Sequence, residues 1–396
     1  MTFDIRRICL MVFLATIFCT QVHSEEAGME NQYDVPRVVF QKDRKHPVLA
    51  CTPEELNRFQ KTYGSAGEEG DYLAKQKKRV DTWMEKSVVF PSRGKAHNQW
   101  YQCDDCQIGL KTLDETHHKC PKCEKVYTGA PYDDVIYGRI TGQHFRTALY
   151  AGWMYQFTGE KQYAEYTAKI LLGYAARYLT YPYHDNQNRV GDKASRSGGR
   201  LTEQTLSEAS TMVNSIAPCY DLIHDSGVLS PEEHEVIRNQ LFVPMLKNID
   251  KNKRGKSNWQ SWHNAAMLSG GAVIGDADWV NKAVHQEKHG FLFQMDVSVS
   301  GDGFWYENSW GYHFYTLAAQ VGLSEGARRL GIDLWHHPAM KKMCTIPAYY
   351  TMPDGKLPGF NDSHARRPSA KVLEAAYAVY QDPVILSLLE PEISFE

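Results

Sequence analysis

The sequence predicts an all-α chain assembled from helical hairpins. Three observations lead there. After about residue 137, apolar residues recur at three- and four-residue spacing. Thr52-Pro53-Glu54-Glu55 and Ser230-Pro231-Glu232-Glu233 each read as a helix start, with a capping hydroxyl, proline at the first position and glutamate at the third. Alternating strand patterns are scarce. Hydrophobic residues make up 42% of the 396 residues, enough for a sizeable core.

Residues 1–24 read as a secretory signal. Arg6 and Arg7 precede the apolar run Ile8 to Cys19, and Val22-His23-Ser24 resembles a small-residue cleavage site. The run is short for a membrane span and no later one is longer. The mature chain, residues 25–396, is therefore expected as one secreted or periplasmic domain with no membrane contact. Residues 25–48 read as extended, and Lys75 to Lys95 as a basic, mobile region. Within residues 97–130 the cysteines fall as Cys103-x2-Cys106-x13-Cys120-x2-Cys123. Paired thiols at this separation look like a zinc ribbon holding one structural zinc, with no open coordination position and so no catalysis. Two disulfides are the alternative in an exported protein.

Phe145, Leu149, Trp153, Met154 and Phe157 form one helical stripe, and Tyr163, Tyr166, Ile170, Leu171, Tyr174 and Tyr178 a second. Only Thr158-Gly159-Glu160 separates them, so the two helices are antiparallel neighbours. Residues 181–199 read as a long surface loop. Helices are expected over about 202–224, 231–249, 262–273, 277–288, 312–330 and 370–389. A series of such hairpins can curl into a toroid with a cleft along its axis.

The chemistry is expected in two stretches. Asn258-Trp259-Gln260-Ser261-Trp262-His263-Asn264 carries stacking surface, amides and an imidazole. On a helix Trp259 and His263 share one face, and Gln260 and Asn264 the next. Gly303 to Tyr315 holds two tryptophans, three tyrosines, a glutamate and a histidine. That combination suits a sugar site. The formal net charge of −3 gives no reason to expect nucleic acid, while a local basic groove is still compatible with an acidic substrate.

These motifs resemble the helical catalytic domain of the alginate lyase and heparinase II/III superfamily. The matching features are Cys-x2-Cys…Cys-Pro-x-Cys from residue 103, Tyr155-Gln-Phe-Thr-Gly-Glu-Lys-Gln-Tyr163, Asn258-Trp-Gln-x-Trp-His-Asn264, and Asp302-Gly-Phe-Trp-Tyr-Glu-x-x-Trp-Gly-Tyr-x-x-Tyr315. The resemblance implies an incomplete (α/α)6 toroid and cleavage of a uronate polysaccharide, alginate- or glycosaminoglycan-like, by β-elimination with no catalytic cofactor. Members usually carry a β-sandwich after the toroid; the chain stops at Glu396, so that domain is expected to be absent.

By motif, Tyr312 corresponds to the proton-donating tyrosine and Asn258 to the carboxylate-contacting asparagine. His263 is the candidate for base or for carboxylate neutralisation. Gln204, Trp259, Asn264, Trp310, Tyr315 and His364 are candidates for holding substrate. Two alternatives remain. A toroid glycoside hydrolase would need a carboxyl pair drawn from Glu203, Glu307 and Asp302. A carbohydrate-binding chain would turn nothing over.

Overall fold

The structure, a computed structural model, describes residues 33–41, 44–65 and 67–389. The signal expected over residues 1–24 lies outside them. The described residues are predominantly helical, with three two-residue strands. The all-α class expected from periodicity is therefore the class observed. Backbone contacts divide the chain into two compact units: residues 40–253 with 269–279, and residues 1–39 with 254–268 and 280–396.

The first unit begins with α1, Pro53–Tyr63, whose capping box joins Thr52 and Glu55 in both directions. Next comes α2, Glu68–Met84, where the sequence suggested a mobile basic stretch. Its lysines lie outward while Gln76 and Val80, four apart, are buried, so the high charge concealed a one-sided helix. A small antiparallel sheet follows, in the order β1 (Lys111–Thr112), β2 (His118–Lys119), β3 (Val126–Tyr127). Lys111 pairs with Lys119, and His118 with Tyr127.

The hairpin is formed by α3, Tyr132–Thr158, and α4, Lys161–Tyr178. Gly159 ends α3 in the left-handed region, φ 71°, with its N–H bonded to the Tyr155 carbonyl at 2.8 Å. Phe145 and Met154 of the first stripe are buried, as are Tyr163, Ile170, Leu171, Tyr174 and Tyr178 of the second. The expected helices over 202–224 and 231–249 are each interrupted by a π turn. They become α5 (Thr205–Thr211) and α6 (Ala217–Ile223) around Met212–Ile216, then α7 (Pro231–Ile237) and α8 (Val243–Lys251) around Arg238–Phe242.

Buried carboxylates tie this unit's loops to its helices. Glu208 accepts from the Arg200 N–H (2.8 Å), the Leu201 N–H (3.0 Å), the Tyr178 hydroxyl (3.1 Å) and the Asn248 amide (3.0 Å). Burial nevertheless pushes its carboxyl pKa up. Asp221 accepts from the backbone N–H groups of Val48, Leu49 and Ala50, fixing the extended segment before α1. Residues 181–199 form an ordered loop around Asp185, which accepts from the Gln187, Arg189 and Ser195 N–H groups.

The remaining helices are α9 (Asn258–Val273), α10 (Ala277–His285), α11 (Phe291–Ser298), α12 (Trp310–Arg329), α13 (Pro338–Tyr350), α14 (Ala370–Tyr380) and α15 (Pro383–Ser387). The second unit takes α11 to α15 whole and the first turns of α9. Neither α11 nor α13 was anticipated, although Met340, Met343, Cys344 and Pro347 of α13 lie inward at helical spacing. The turn before α12 needs Gly303, at φ 104°, because a Cβ there would stand 2.5 Å from the Lys342 carbonyl.

Candidate active site

The helix α9 starts at Asn258, four residues before the span of 262–273 expected from the sequence, and the side-chain pairing expected of the Asn258–Asn264 stretch is realised. Trp259 and His263 lie edge to face with ring centroids 6.4 Å apart, and the Gln260 amide donates to Asn264 Oδ1 at 2.9 Å. At about 100° per residue, Asn258, Ser261 and Trp262 share one side. That side meets α12: Gln320 donates to Ser261 Oγ at 3.1 Å, and the Trp262 ring lies 5.2 Å from that of Tyr315.

Asn258 is buried and its amide nitrogen reaches both oxygens of Glu307, at 3.0 and 2.8 Å. The Trp305 indole N–H donates to the same carboxylate at 2.6 Å. Two residues into α12, Tyr312 is 37% exposed. Its hydroxyl pKa is raised, first by a hydrogen bond with Asp362, then by partial burial and by the charges of Asp362 and Glu307. The phenol therefore stays protonated across the neutral range. The loop bearing Asp362 is held against this turn by Asn361, which donates to the Asn308 carbonyl at 2.7 Å, and by Phe360, stacked on Trp310. His364 is exposed on the same loop.

The other candidates stand in different surroundings. His263 stands five residues from Asn258, roughly 140° around the helix, and is fully buried with no hydrogen-bond partner on either ring nitrogen. Burial, with the Arg254 charge adding, lowers its pKa to about 3. The imidazole is thus enclosed, lies off the Asn258 side of the helix, and has its charged form disfavoured by burial. Trp310 is fully buried among Phe304, His313, Tyr350 and Phe360, so its ring offers a sugar no open face. Asn264 is also buried, donating to the His289 carbonyl at 2.8 Å; its amide holds the fold. Trp259 is half-buried with the Arg254 guanidinium over its ring at 4.5 Å. Tyr315 keeps 37% exposure, and burial of its hydroxyl end pushes its pKa up to about 12. Gln204 is the N-cap of α5, in the first unit.

The side chains that sequence reasoning missed are Trp305 and Asp362, together with the pairing of Glu307 to Asn258. Trp305 and Glu307 lie in a quoted motif, yet the Asn258–Glu307 contact spans 49 residues, beyond any spacing rule.

In the first unit, the sulfurs of Cys103, Cys106, Cys120 and Cys123 all lie within 4.8 Å of one another and could hold a metal ion. None is in a disulfide. A Zn–S bond of about 2.3 Å places tetrahedral sulfurs about 3.8 Å apart, and Cys103 and Cys123 are at 3.6 Å. Backbone N–H groups point at the sulfurs: Cys106 at Cys103, and Lys122 and Cys123 at Cys120, each at 3.4 Å. Each knuckle closes through a left-handed residue, Gln107 or Glu124. Donor set, spacing and amides all fit a tetrathiolate ion.

The alginate lyase family model matches residues 137–354, more than half of the chain, including both α9 and Tyr312. An alginate lyase of Stenotrophomonas maltophilia is 33% identical over 192 residues, 46% of this chain and 24% of that protein. An exo-oligoalginate lyase of Saccharophagus degradans is 25% identical over 291 residues, 72% of this chain and 33% of that protein. The chain thus spans about a quarter to a third of the length of these curated relatives. Among solved structures, an alginate lyase from Bacteroides ovatus aligns with TM-score 0.59 and 13% identity, over 87% of this chain and 95% of that one. A heparinase III gene product aligns with TM-score 0.51 and 14% identity, over 85% and 48%. At such identity the structures speak for the fold, and the sequence match carries the family: this chain belongs to the alginate lyase family.

Proposed function

We propose that the chain cleaves a uronate-containing polysaccharide by β-elimination, with alginate, for which its relatives are named, first among the substrates. One observation carries the reading. The Asn258 amide and the Trp305 indole already hold a carboxylate, that of Glu307, at 2.6–3.0 Å, beside an exposed, protonated phenol. A uronate presents a carboxylate next to the carbon that must lose its proton, and asks for such donors.

In the elimination the C5 proton leaves to a base, its electron pair forms the C4–C5 double bond, the C4–O4 bond breaks, and O4 takes a proton. Donors on the carboxylate stabilise the charge that develops as the C5 proton leaves. We assign Asn258 that contact and Tyr312 the proton delivered to O4. His263 takes neither role, being uncharged, enclosed and turned away. The hydrolase alternative finds no support in Asp302, whose carboxylate caps its own turn through Ser300 and the Phe304 N–H.

Incubation with alginate, heparan, chondroitin and ulvan tests the reading, since each elimination leaves an unsaturated, ultraviolet-absorbing end. New reducing ends without that absorbance would make the chain a hydrolase. No product from any of the four would leave a binding protein. We further propose that the ion at the four cysteines is zinc, with a structural role, and that residues 1–24 direct export.

A further inference from the structure

Between α13 and α14 the chain folds back on itself. Leu357 and Arg366 pair as an antiparallel bridge, N to O at 2.8 and 3.2 Å. The tip of this loop carries Asp362 to Tyr312. At its foot lies a cavity of about 550 Å³, within the range of about 300–1,000 Å³ usual for ligand pockets. Three cations line it: Arg366, Arg367 and Lys371. Among the described residues no carboxylate does, and none of the three forms an ion pair with a described residue. Asp354, which feels the Arg367 charge, is itself committed to the Lys356 N–H at 3.0 Å and ammonium at 3.1 Å. Ser369 also lines the cavity, and its side chain makes no capping bond to its own helix.

Three like charges around one cavity repel one another unless an anion joins them. Guanidinium groups match the two oxygens of a carboxylate, and the ammonium adds a point charge. We propose that this cavity is a second acidic-saccharide site, in which Arg366, Arg367 and Lys371 hold carboxylates of a uronate oligosaccharide apart from the Asn258–Tyr312 cluster. The choice of ligand rests on the substrate class proposed above. A polymer held at two points is kept at high effective concentration, so long chains gain from the second site and short ones do not.

The test is the triple variant Arg366→Gln/Arg367→Gln/Lys371→Gln, whose side chains are exposed, with far-ultraviolet circular dichroism to confirm folding. Binding is read by titration calorimetry in a Tyr312→Phe background, so that saccharide is not consumed. An acidic hexasaccharide should bind about tenfold more weakly to the triple variant, and a neutral hexasaccharide should bind to neither chain. With Tyr312 intact, KM for the polymer should rise by a similar factor while kcat and the KM for a trisaccharide hold. Equal hexasaccharide affinity in both backgrounds overturns the proposal. So does inorganic phosphate binding without saccharide binding, which would mark a small-anion site. If the triple variant misfolds, Lys371→Gln alone decides, with a loss of at least twofold expected and none overturning the site. A chain that binds acidic hexasaccharide through these residues but forms no unsaturated product sinks the lyase reading and keeps the site. A chain that cleaves, with hexasaccharide affinity unchanged in the triple variant, does the reverse.

Discussion

Tyr312 and Glu307, to which the proposed chemistry gives different parts, can each be changed by a single atom group. Tyr312→Phe removes one hydroxyl that makes no contact with the core, so the fold should hold. If that hydroxyl protonates O4, kcat should fall by roughly 10²-fold or more, with KM little moved, since the proton passes only in the transition state. Full activity in Tyr312→Phe would remove the assignment and direct attention to Tyr315. Glu307→Gln keeps the shape but places an amide where Asn258 and Trp305 donate. It should cost about tenfold or more in kcat/KM through a disordered Asn258. A Glu307→Gln chain as active as the parent would show that Asn258 does not depend on this carboxylate. Tyr312 was legible from its motif. The disposition of His263 was legible too, from its five-residue offset to Asn258, roughly 140° around a helix. The Glu307 and Asp362 contacts were not legible, because they join segments that only the tertiary fold brings together.

At the scale of an element, the cysteine segment shows a local pattern dictating a local structure. Cys103 and Cys120 sit in a small core with Tyr101, Leu110, Tyr127, Val135 and Ile136, and the Tyr127 hydroxyl donates to Cys103 Sγ at 3.2 Å. Buried His118 bridges Tyr101 (2.9 Å) and Asp133 at the start of α3 (3.2 Å). The ion's site is thus anchored to the first turn of the long hairpin. Purified chain should contain about one zinc, and Cys120→Ser should lose it. Hydrogen exchange should then quicken across residues 97–130 while α4 keeps its protection. A metal-free parent chain with the same exchange pattern would refute the structural role. The hairpin α3–α4 was readable because its stripes are apolar and its break is a glycine. By contrast, α2 was missed under its lysines, and α11 and α13 because short aromatic- and methionine-rich runs lack the polar face that marks a helix boundary.

For the whole molecule, the consequence of so many enclosed imidazoles is sensitivity to acid. Burial lowers the pKa of His263 to about 3 and of His313 to about 4, and lowers those of His144, His224, His234, His285 and His337 as well. In the unfolded chain each would titrate near 6.5. Below that pH the unfolded state binds protons that the folded state refuses, so stability is full above about pH 6.5 and is lost as pH falls towards the folded values. For His263 and His313 the slope approaches about 1.4 kcal/mol per pH unit once the unfolded imidazole is fully charged. Apart from Glu208 and Asp134, whose pKa values burial raises, carboxylates titrate mainly below about pH 4.5, so imidazoles dominate the window from pH 6.5 to 5. His263 permits a clean subtraction, because neither nitrogen has a hydrogen-bond partner to leave stranded, whereas His313 accepts from the Trp305 N–H and donates to the Met343 carbonyl. His263→Leu, similar in volume and apolar, should be neutral or stabilising at pH 7. It should also reduce the dependence of unfolding free energy on pH by about 1 kcal/mol per unit across that window. Denaturant melts at pH 5.0, 5.5, 6.0 and 6.5 would measure both. An unchanged slope would mean that His263 is protonated in the folded chain. A well-folded His263→Leu chain that had lost all lyase activity would mean that this imidazole meets the substrate after all.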